Sequence, residues 1–443
     1  MTKTAILEIQ EGCNQACVFC LEDDVERPAH TNPTTEQVGK LLADLRERGA
    51  EHITFMGGET FFRKDLPLIV AEARRLGFSR IGVTTNGSIV SKIGYLRQQI
   101  AAGLDYIEFS LHGHTPEIAN AIARANSFSR QAIALGQLNE LALPTIFNVV
   151  VCEENRAHLL GIAQYVIESF PRIPGRFKFK FVALTGRAAS EARVHGRALR
   201  YEDVDIKPAA DYLTERNVPF WFDNFPLCRL DEHADSSHEL GLMAADEQFF
   251  NRHLSDASYR DSGHQLTNRV RPEASCASCS VRAICPGLEH GYVAYGAAQA
   301  LRARHDDPLP LLQAALRKRS VDPALAAERL AFLATRADSS PPPKPATRPG
   351  ELLFSHPAAP HRLKLELTAL EPDKKAFLQT AHFALSYASW PSADPYQRPE
   401  VVALLQAAGH AVAEADEAGA AVEAASAAIV AVARHGGWQQ IGA

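Results

Sequence analysis

The sequence predicts an α/β fold built on a parallel sheet of six strands, and two observations carry that prediction. Six short runs rich in apolar and β-branched residues (4–10, 52–56, 80–85, 105–111, 145–151 and 176–184) are separated by stretches with helical periodicity. They recur at spacings of roughly 25–45 residues, enough for a strand, a crossover helix and two short loops, as parallel neighbours require. Periodicity alone leaves open whether such a sheet curls or closes.

In order, TAILEIQ (4–10) is the first strand, and a cysteine-bearing loop follows it. Thr34 or Thr35 can cap the next helix, where Val38, Leu41, Leu42 and Leu45 recur at helical spacing. HITFM (52–56) is the second strand; a helix with Leu66, Ile69, Val70, Ala73 and Leu76 on one face follows and is stopped by Gly77. RIGVTT (80–85), DYIEFSL (105–111) and TIFNVVV (145–151) continue the pattern, with a helix around Ile93–Ile100 between the first two. RFKFKFVAL (176–184) alternates, setting Phe177, Phe179 and Phe181 opposite Lys178 and Lys180. From about 205 to 300 the alternation breaks down. Residues 308–336 read as helical, and residues 338–350, ending in PPPKPATRPG, form a proline-rich linker. A possible strand at LKLELTAL (363–370) and an alanine-rich helical stretch over 401–434 lie beyond it.

With 443 residues, the chain is expected to hold two or three domains. Its 46% apolar and 22% charged residues are those of an ordinary soluble globular protein. A net charge of −6 exerts no global pull toward nucleic acid. No signal-peptide core and no long uninterrupted apolar window are present, so neither secretion nor a membrane span is expected. Eight cysteines, seven of them clustered or in ligand-like positions, read as metal chemistry in a reducing cytoplasm.

The stretch EGCNQACVFCLED (11–23) sets Cys13, Cys17 and Cys20 in the spacing C-x-x-x-C-x-x-C, with Phe19 just before the last. Four-iron clusters normally take four thiolates, so a trio leaves one iron open for chemistry. A structural zinc site lacks its fourth ligand here, and a disulfide leaves one cysteine over. The motif resembles that of the radical S-adenosylmethionine (SAM) superfamily. The resemblance, which covers roughly residues 4–300, implies a partial (β/α)6 barrel with its site at the strand C-termini. It also implies that SAM chelates the open iron and is cleaved to a 5′-deoxyadenosyl radical.

The same resemblance assigns further residues. FMGGET puts Gly57, Gly58, Glu59 and Thr60 past the second strand, where the family's segment contacts the SAM amino group; the bland reading is a glycine turn beside an acid. TTNG (Thr84, Thr85, Asn86) resembles a wall segment of the site, or is an ordinary Asn-Gly turn. Ser110, in SLHG, matches a position that hydrogen-bonds SAM, and His112 beside it either faces the pocket or is structural. Arg124 matches an arginine for the SAM carboxylate, against a solvated helix-end arginine. Asn148, an amide inside an apolar strand, either faces the ligand or is satisfied by a neighbour.

A second constellation, CASCSVRAIC, carries Cys276, Cys279 and Cys285, with Cys228 upstream. It resembles the auxiliary-cluster domains (SPASM and the shorter twitch type) of radical SAM enzymes, with cysteines for one further 4Fe–4S cluster. A four-cysteine zinc knot is the alternative, and Cys152 could replace Cys228. The expected organisation is a core barrel over 1–205, an auxiliary-cluster domain over 206–300, a helical extension over 301–337, the linker, and a mostly helical region of unassigned role over 351–443.

The resemblance implies an enzyme using SAM and two 4Fe–4S clusters, fed by an electron donor such as flavodoxin or ferredoxin. The expected substrate is a ribosomally made peptide or protein; the alternatives are radical chemistry on a small molecule and, from a different class, a non-catalytic iron–sulfur electron carrier.

Overall fold

The computed structural model describes residues 3–20, 32–184, 186–195, 198–252, 260–261, 269–289, 292, 295, 297–339, 351–356, 359–366, 382–386 and 439–440. The chain divides into two compact units, 1–192 with 197–338, and 193–196 with 339–443.

The first unit alternates strand and helix from its start: β1 (Lys3–Gln10), α1 (Thr35–Glu47), β2 (His52–Gly57), α2 (Leu66–Arg75), β3 (Arg80–Thr85), α3 (Ile93–Ala102) and β4 (Tyr106–Ser110). Helices α4 (Pro116–Ala123) and α5 (Phe128–Leu141) lead to β5 (Thr145–Val151), α6 (Leu159–Ser169) and β6 (Gly175–Phe181). The local signals act as expected. Thr34 caps α1 in a reciprocal box with Gln37, and Gly77 turns the chain after α2 at a φ of 87°.

The alternation does not stop at β6. After α7 (Gly186–His195) and α8 (Lys207–Glu215), β7 (Phe220–Asp223) pairs parallel with β6. After α9 (His238–Ala245), β8 (Gln248–Arg252) pairs parallel with β1. The sheet order is β7-β6-β5-β4-β3-β2-β1-β8-β9, with the short β9 (Arg260–Asp261) antiparallel to β8. Four residues after Pro219 are too short a run to announce β7 by composition.

Registers divide the sheet into two chemically different faces. Leu7, Phe55, Val83, Ile107, Phe109, Phe147, Phe177, Phe179 and Phe222 share one face, almost fully buried in the main core with helix residues such as Val38, Leu42, Ile69 and Ile162. Each such ring or branched chain contributes roughly 1.5–3 kcal/mol on burial. The other face carries Glu8, Thr54, Arg80, Tyr106, Glu108, Asn148, Lys178 and Lys180. This polar face is the concave one. Eight flat strands would hold β7 and β8 about 34 Å apart, yet Arg319 lies 5.6 Å from the Trp221 ring of β7 and 3.2 Å from Glu247 beside β8. The edges approach without pairing, so the sheet is a partial barrel.

The rest of the first unit comprises β10 (Arg269–Val270) antiparallel to β11 (Leu288–Glu289), α10 (Glu273–Cys276), α11 (Pro308–Lys318) and α12 (Ala326–Ser339). From residue 351 on, the described residues of the second unit are strands, β12 (Glu351–His356), β13 (Ala359–Glu366), β14 (His382–Ser386) and β15 (Gln439–Gln440), in an antiparallel sheet ordered β14-β13-β12-β15. The strand expected at 363–370 coincides in part with β13. The helical stretch expected at 401–434 lies outside the described residues.

Candidate functional site

The loop carrying Cys13, Cys17 and Cys20 leaves the C-terminal end of β1, at the end of the barrel where strand-following loops converge. Its backbone is tied down along its length. Gly58 N–H donates to Gln10 O at 2.7 Å and Glu59 N–H to Gly12 O at 2.9 Å. Ala16 and Val18 N–H donate to the carbonyls of Ala123 and Ile122 at the end of α4, both at 3.0 Å. Arg187, nearly buried at the start of α7, donates its backbone N–H to Cys20 O at 2.9 Å and its Nη1 to Cys17 O at 2.6 Å.

Gly57 and Gly58 are required by close approach to this loop. A Cβ on Gly57 would lie 2.1 Å from Gln10 O, and one on Gly58 would lie 2.3 Å from Glu11 O and 2.5 Å from Gly12 O. Glu59, fully buried, spends both carboxylate oxygens on the chain itself. Oε1 accepts from Thr85 Oγ1 at 2.7 Å and Phe61 N–H at 3.0 Å, and Oε2 accepts from Asn86 N–H at 2.8 Å. Burial nevertheless raises its pKa to about 7, the three donors opposing. Asn86, fixed this way, directs its Nδ2 to Asn14 Oδ1 at 3.0 Å and toward Cys13 Sγ at 3.6 Å.

Cys13 and Cys17 sense each other and Cys20 electrostatically, so the three sulfurs converge. Burial is the main cause that pushes the Cys13 thiol up and the Cys17 thiol up to about 12. Bare thiolates are therefore disfavoured, whereas a cationic metal core stabilises them. No other cysteine precedes Cys152, so the donor set fits an iron–sulfur cube held by three thiolates with one iron left open.

Residues 7–166 match the radical SAM superfamily. They form a radical SAM domain. The chain is 30% identical over 182 residues to a probable GTP 3′,8-cyclase of Methanopyrus kandleri, covering 38% of this chain and 57% of that protein. It is 29% identical over 166 residues to the PqqA peptide cyclase of Xanthomonas campestris pv. campestris, covering 37% and 44%. A solved structure, native anSMEcpe with bound AdoMet, aligns over 77% of this chain and 100% of that one with 13% identity and a TM-score of 0.49. The chain spans about half the length of the curated relatives it matches.

Within the radical SAM domain, the other expected residues occupy the same end of the sheet. Phe19 meets the His112 ring edge-on at 4.6 Å. His112 is buried, which lowers its pKa to about 3, and its Nδ1 accepts from Val150 N–H at 3.1 Å; the neutral ring therefore carries its proton on Nε2. Thr60 is buried with its hydroxyl unpartnered among the described residues. Ser110 pairs in register with Asn148, whose Nδ2 donates to Glu108 Oε2 at 2.9 Å while its Oδ1 is buried without a partner among the described residues. Arg124 ends α4 in a left-handed conformation, exposed, directly after the carbonyls that hold the cysteine loop. Sequence reasoning missed Arg187 and also Gln131, whose Nε2 donates to Asn86 O at 2.8 Å and Ser110 O at 3.3 Å. Neither carries a local pattern that marks it.

Beyond the radical SAM domain, Cys228, Cys276, Cys279 and Cys285 line one pocket with Arg271 and Arg282. Backbone N–H groups point at two of the sulfurs, Gly287 at Cys285 (3.3 Å) and Arg304 at Cys279 (3.4 Å). Burial pushes the Cys276 thiol up to about 11 and the Cys285 thiol up to about 12. Cys152, also buried, does not line this pocket; its N–H donates to Asn155 Oδ1 at 2.9 Å. Among the described residues no helix is long and apolar enough to cross a membrane.

Proposed function

We propose that this chain is a radical SAM enzyme acting on a ribosomally made peptide or protein. Cys13, Cys17 and Cys20 would hold a four-iron cluster that, with SAM bound, would supply the one-electron cleavage of SAM to methionine and a 5′-deoxyadenosyl radical for hydrogen abstraction from the substrate. A flavodoxin or ferredoxin supplies the electron. The observation that carries this reading is the convergence of three thiols on a loop whose carbonyls accept from Gly58, Glu59 and Arg187 and whose N–H groups donate to the end of α4.

The chain's own residues divide the remaining work. Glu59, Thr85 and Asn86 brace the cysteine loop, and Gly57 and Gly58 let it come close. Phe19, Thr60, Ser110, His112, Arg124 and Asn148 line the SAM side, with the Thr60 hydroxyl and Asn148 Oδ1 as buried polar groups that lack a protein partner among the described residues. Cys228, Cys276, Cys279 and Cys285 hold a second 4Fe–4S cluster, one thiolate per iron, closed to substrate. The N–H groups aimed at two of these sulfurs support a cluster there. A small-molecule substrate is the second reading, favoured by the identity to a probable GTP 3′,8-cyclase.

Reconstituted protein with a low-potential reductant should yield 5′-deoxyadenosine, and Cys17→Ala should yield none, because two thiolates leave two irons unprotected. Product formed by Cys17→Ala at the parent's rate would overturn the proposal.

A further inference from the structure

The concave face of the barrel is unevenly charged. On β6, Arg176, Lys178 and Lys180 alternate with the buried phenylalanines and therefore point the same way, successive Cα atoms on that face lying about 7 Å apart. At the N-terminal end of the barrel the stripe gains two more cations. Arg80 of β3 and Arg319, which follows α11, both lie close enough to Arg176 to lower its pKa, after burial. Arg80 stands three strands from β6, so only the curl of the sheet brings them together.

The partners of these five cations are few. Arg80 stacks on Tyr106 at 4.7 Å, and Arg176 and Arg319 lie 5.4 and 5.6 Å from the Trp221 ring. Glu247 pairs with Arg319, and Asp223 lies 3.7 Å from Lys180. Lys178 has no hydrogen-bond or ion-pair partner among the described residues. Glu108, two strands away, already accepts from Asn148. His52 and His238 face the same cations, and burial first, then those charges, keeps both rings neutral. Glu239 also acts on Arg319, and Glu8 and Glu108 stand elsewhere on the same face. The five cations thus meet Glu247, Asp223 and Glu239 on a half-buried wall, where charge is screened less than at an open surface.

We propose that this wall is the oxyanion subsite of the substrate pocket, with Lys178 and Lys180 holding a carboxylate or phosphate group of the substrate and Arg176 closing the site from below. The assignment rests on the radical SAM reading above, since it supposes that the concave face receives the substrate. It deepens that reading by giving the substrate a charge. Lysine suits the role as a point-charge ligand for either oxyanion, and the stacked guanidinium of Arg176 keeps donors free at its edge.

The test is anion binding by the full chain, followed as a shift in thermal midpoint, with inorganic triphosphate and tricarballylate as separate probes. One of the two should raise the midpoint saturably, and the stronger probe tells phosphate from carboxylate. In Lys178→Gln/Lys180→Gln the apparent affinity should fall at least about tenfold, the loss of two charge-assisted contacts. Glutamine keeps the aliphatic stems, and an unshifted midpoint of the ligand-free variant certifies its fold. Saturable binding by neither probe, or equal binding by the double variant, overturns the assignment. The readout needs no cluster, SAM or turnover. A protein that binds the anion but never forms 5′-deoxyadenosine therefore refutes the cleavage reading alone, and one that cleaves SAM but ignores both anions refutes this one alone.

Discussion

Gly58→Ala is the sharpest test of how the cysteine loop is held. The added methyl would stand 2.3 Å from Glu11 O and 2.5 Å from Gly12 O, where ordinary contact begins at 3.4 Å. Both neighbours are backbone, so no side chain can swing aside. The loop must retreat by about 1 Å, the overlap to be relieved, and overpacking of this kind costs about 1–3 kcal/mol. The retreat also stretches the bonds from Gly58 N–H to Gln10 O and from Glu59 N–H to Gly12 O, each worth about 1 kcal/mol. The expected loss is therefore about 3–5 kcal/mol, read as a lower urea midpoint for the first unfolding transition. Iron loading of the N-terminal site should fall with it, because Cys13 moves with its neighbour Gly12. Gly136→Ala is the matched control. It lies exposed in α5 with nothing within 4 Å of the added carbon, so the same methyl should stabilise by about 0.5–1 kcal/mol through helix propensity. If Gly58→Ala unfolds at the parent's midpoint and loads iron normally, the close-approach reasoning is wrong.

Two further outcomes follow from the arrangement. Intact reconstituted protein should carry about eight irons and Cys279→Ala about four, by the four-per-cluster count; stoichiometric zinc beside one iron cluster would instead make the second cysteine set structural. A chain ending at Asp338 keeps the whole first compact unit, so it should load both clusters and form 5′-deoxyadenosine without substrate, and loss of iron on truncation would show that the boundary is misjudged.

Features that announce themselves locally were legible in the sequence. Strands β1 to β6, the Thr34 cap and the Gly77 stop each depend on a few consecutive residues, and the cysteine spacing is itself a local pattern. What escaped depends on pairings distant in sequence. β7 is four residues long and gains its identity only by lying beside β6, while β8 does so beside β1, across the whole barrel. Glu59 looks in sequence like an acceptor for a ligand's ammonium group, and its bonds from Thr85, Asn86 and Phe61 within the chain carry no mark in the sequence. The paired glycines suggest room for a ligand, whereas their nearest neighbours are the backbone of residues 10–12. Nothing near Arg187 marks it as a brace for a loop 170 residues earlier.

That brace bears on the order in which the protein is made. The thiols leave the ribosome 170 residues ahead of the arginine that fixes their loop, which at about 5–20 residues per second is roughly 10–30 s. During that interval α7 does not exist to donate to the carbonyls of Cys17 and Cys20. The loop therefore takes its final shape only when the barrel is nearly complete. A cluster built on these thiols would in this sense be inserted late, into an assembled barrel rather than into the emerging chain.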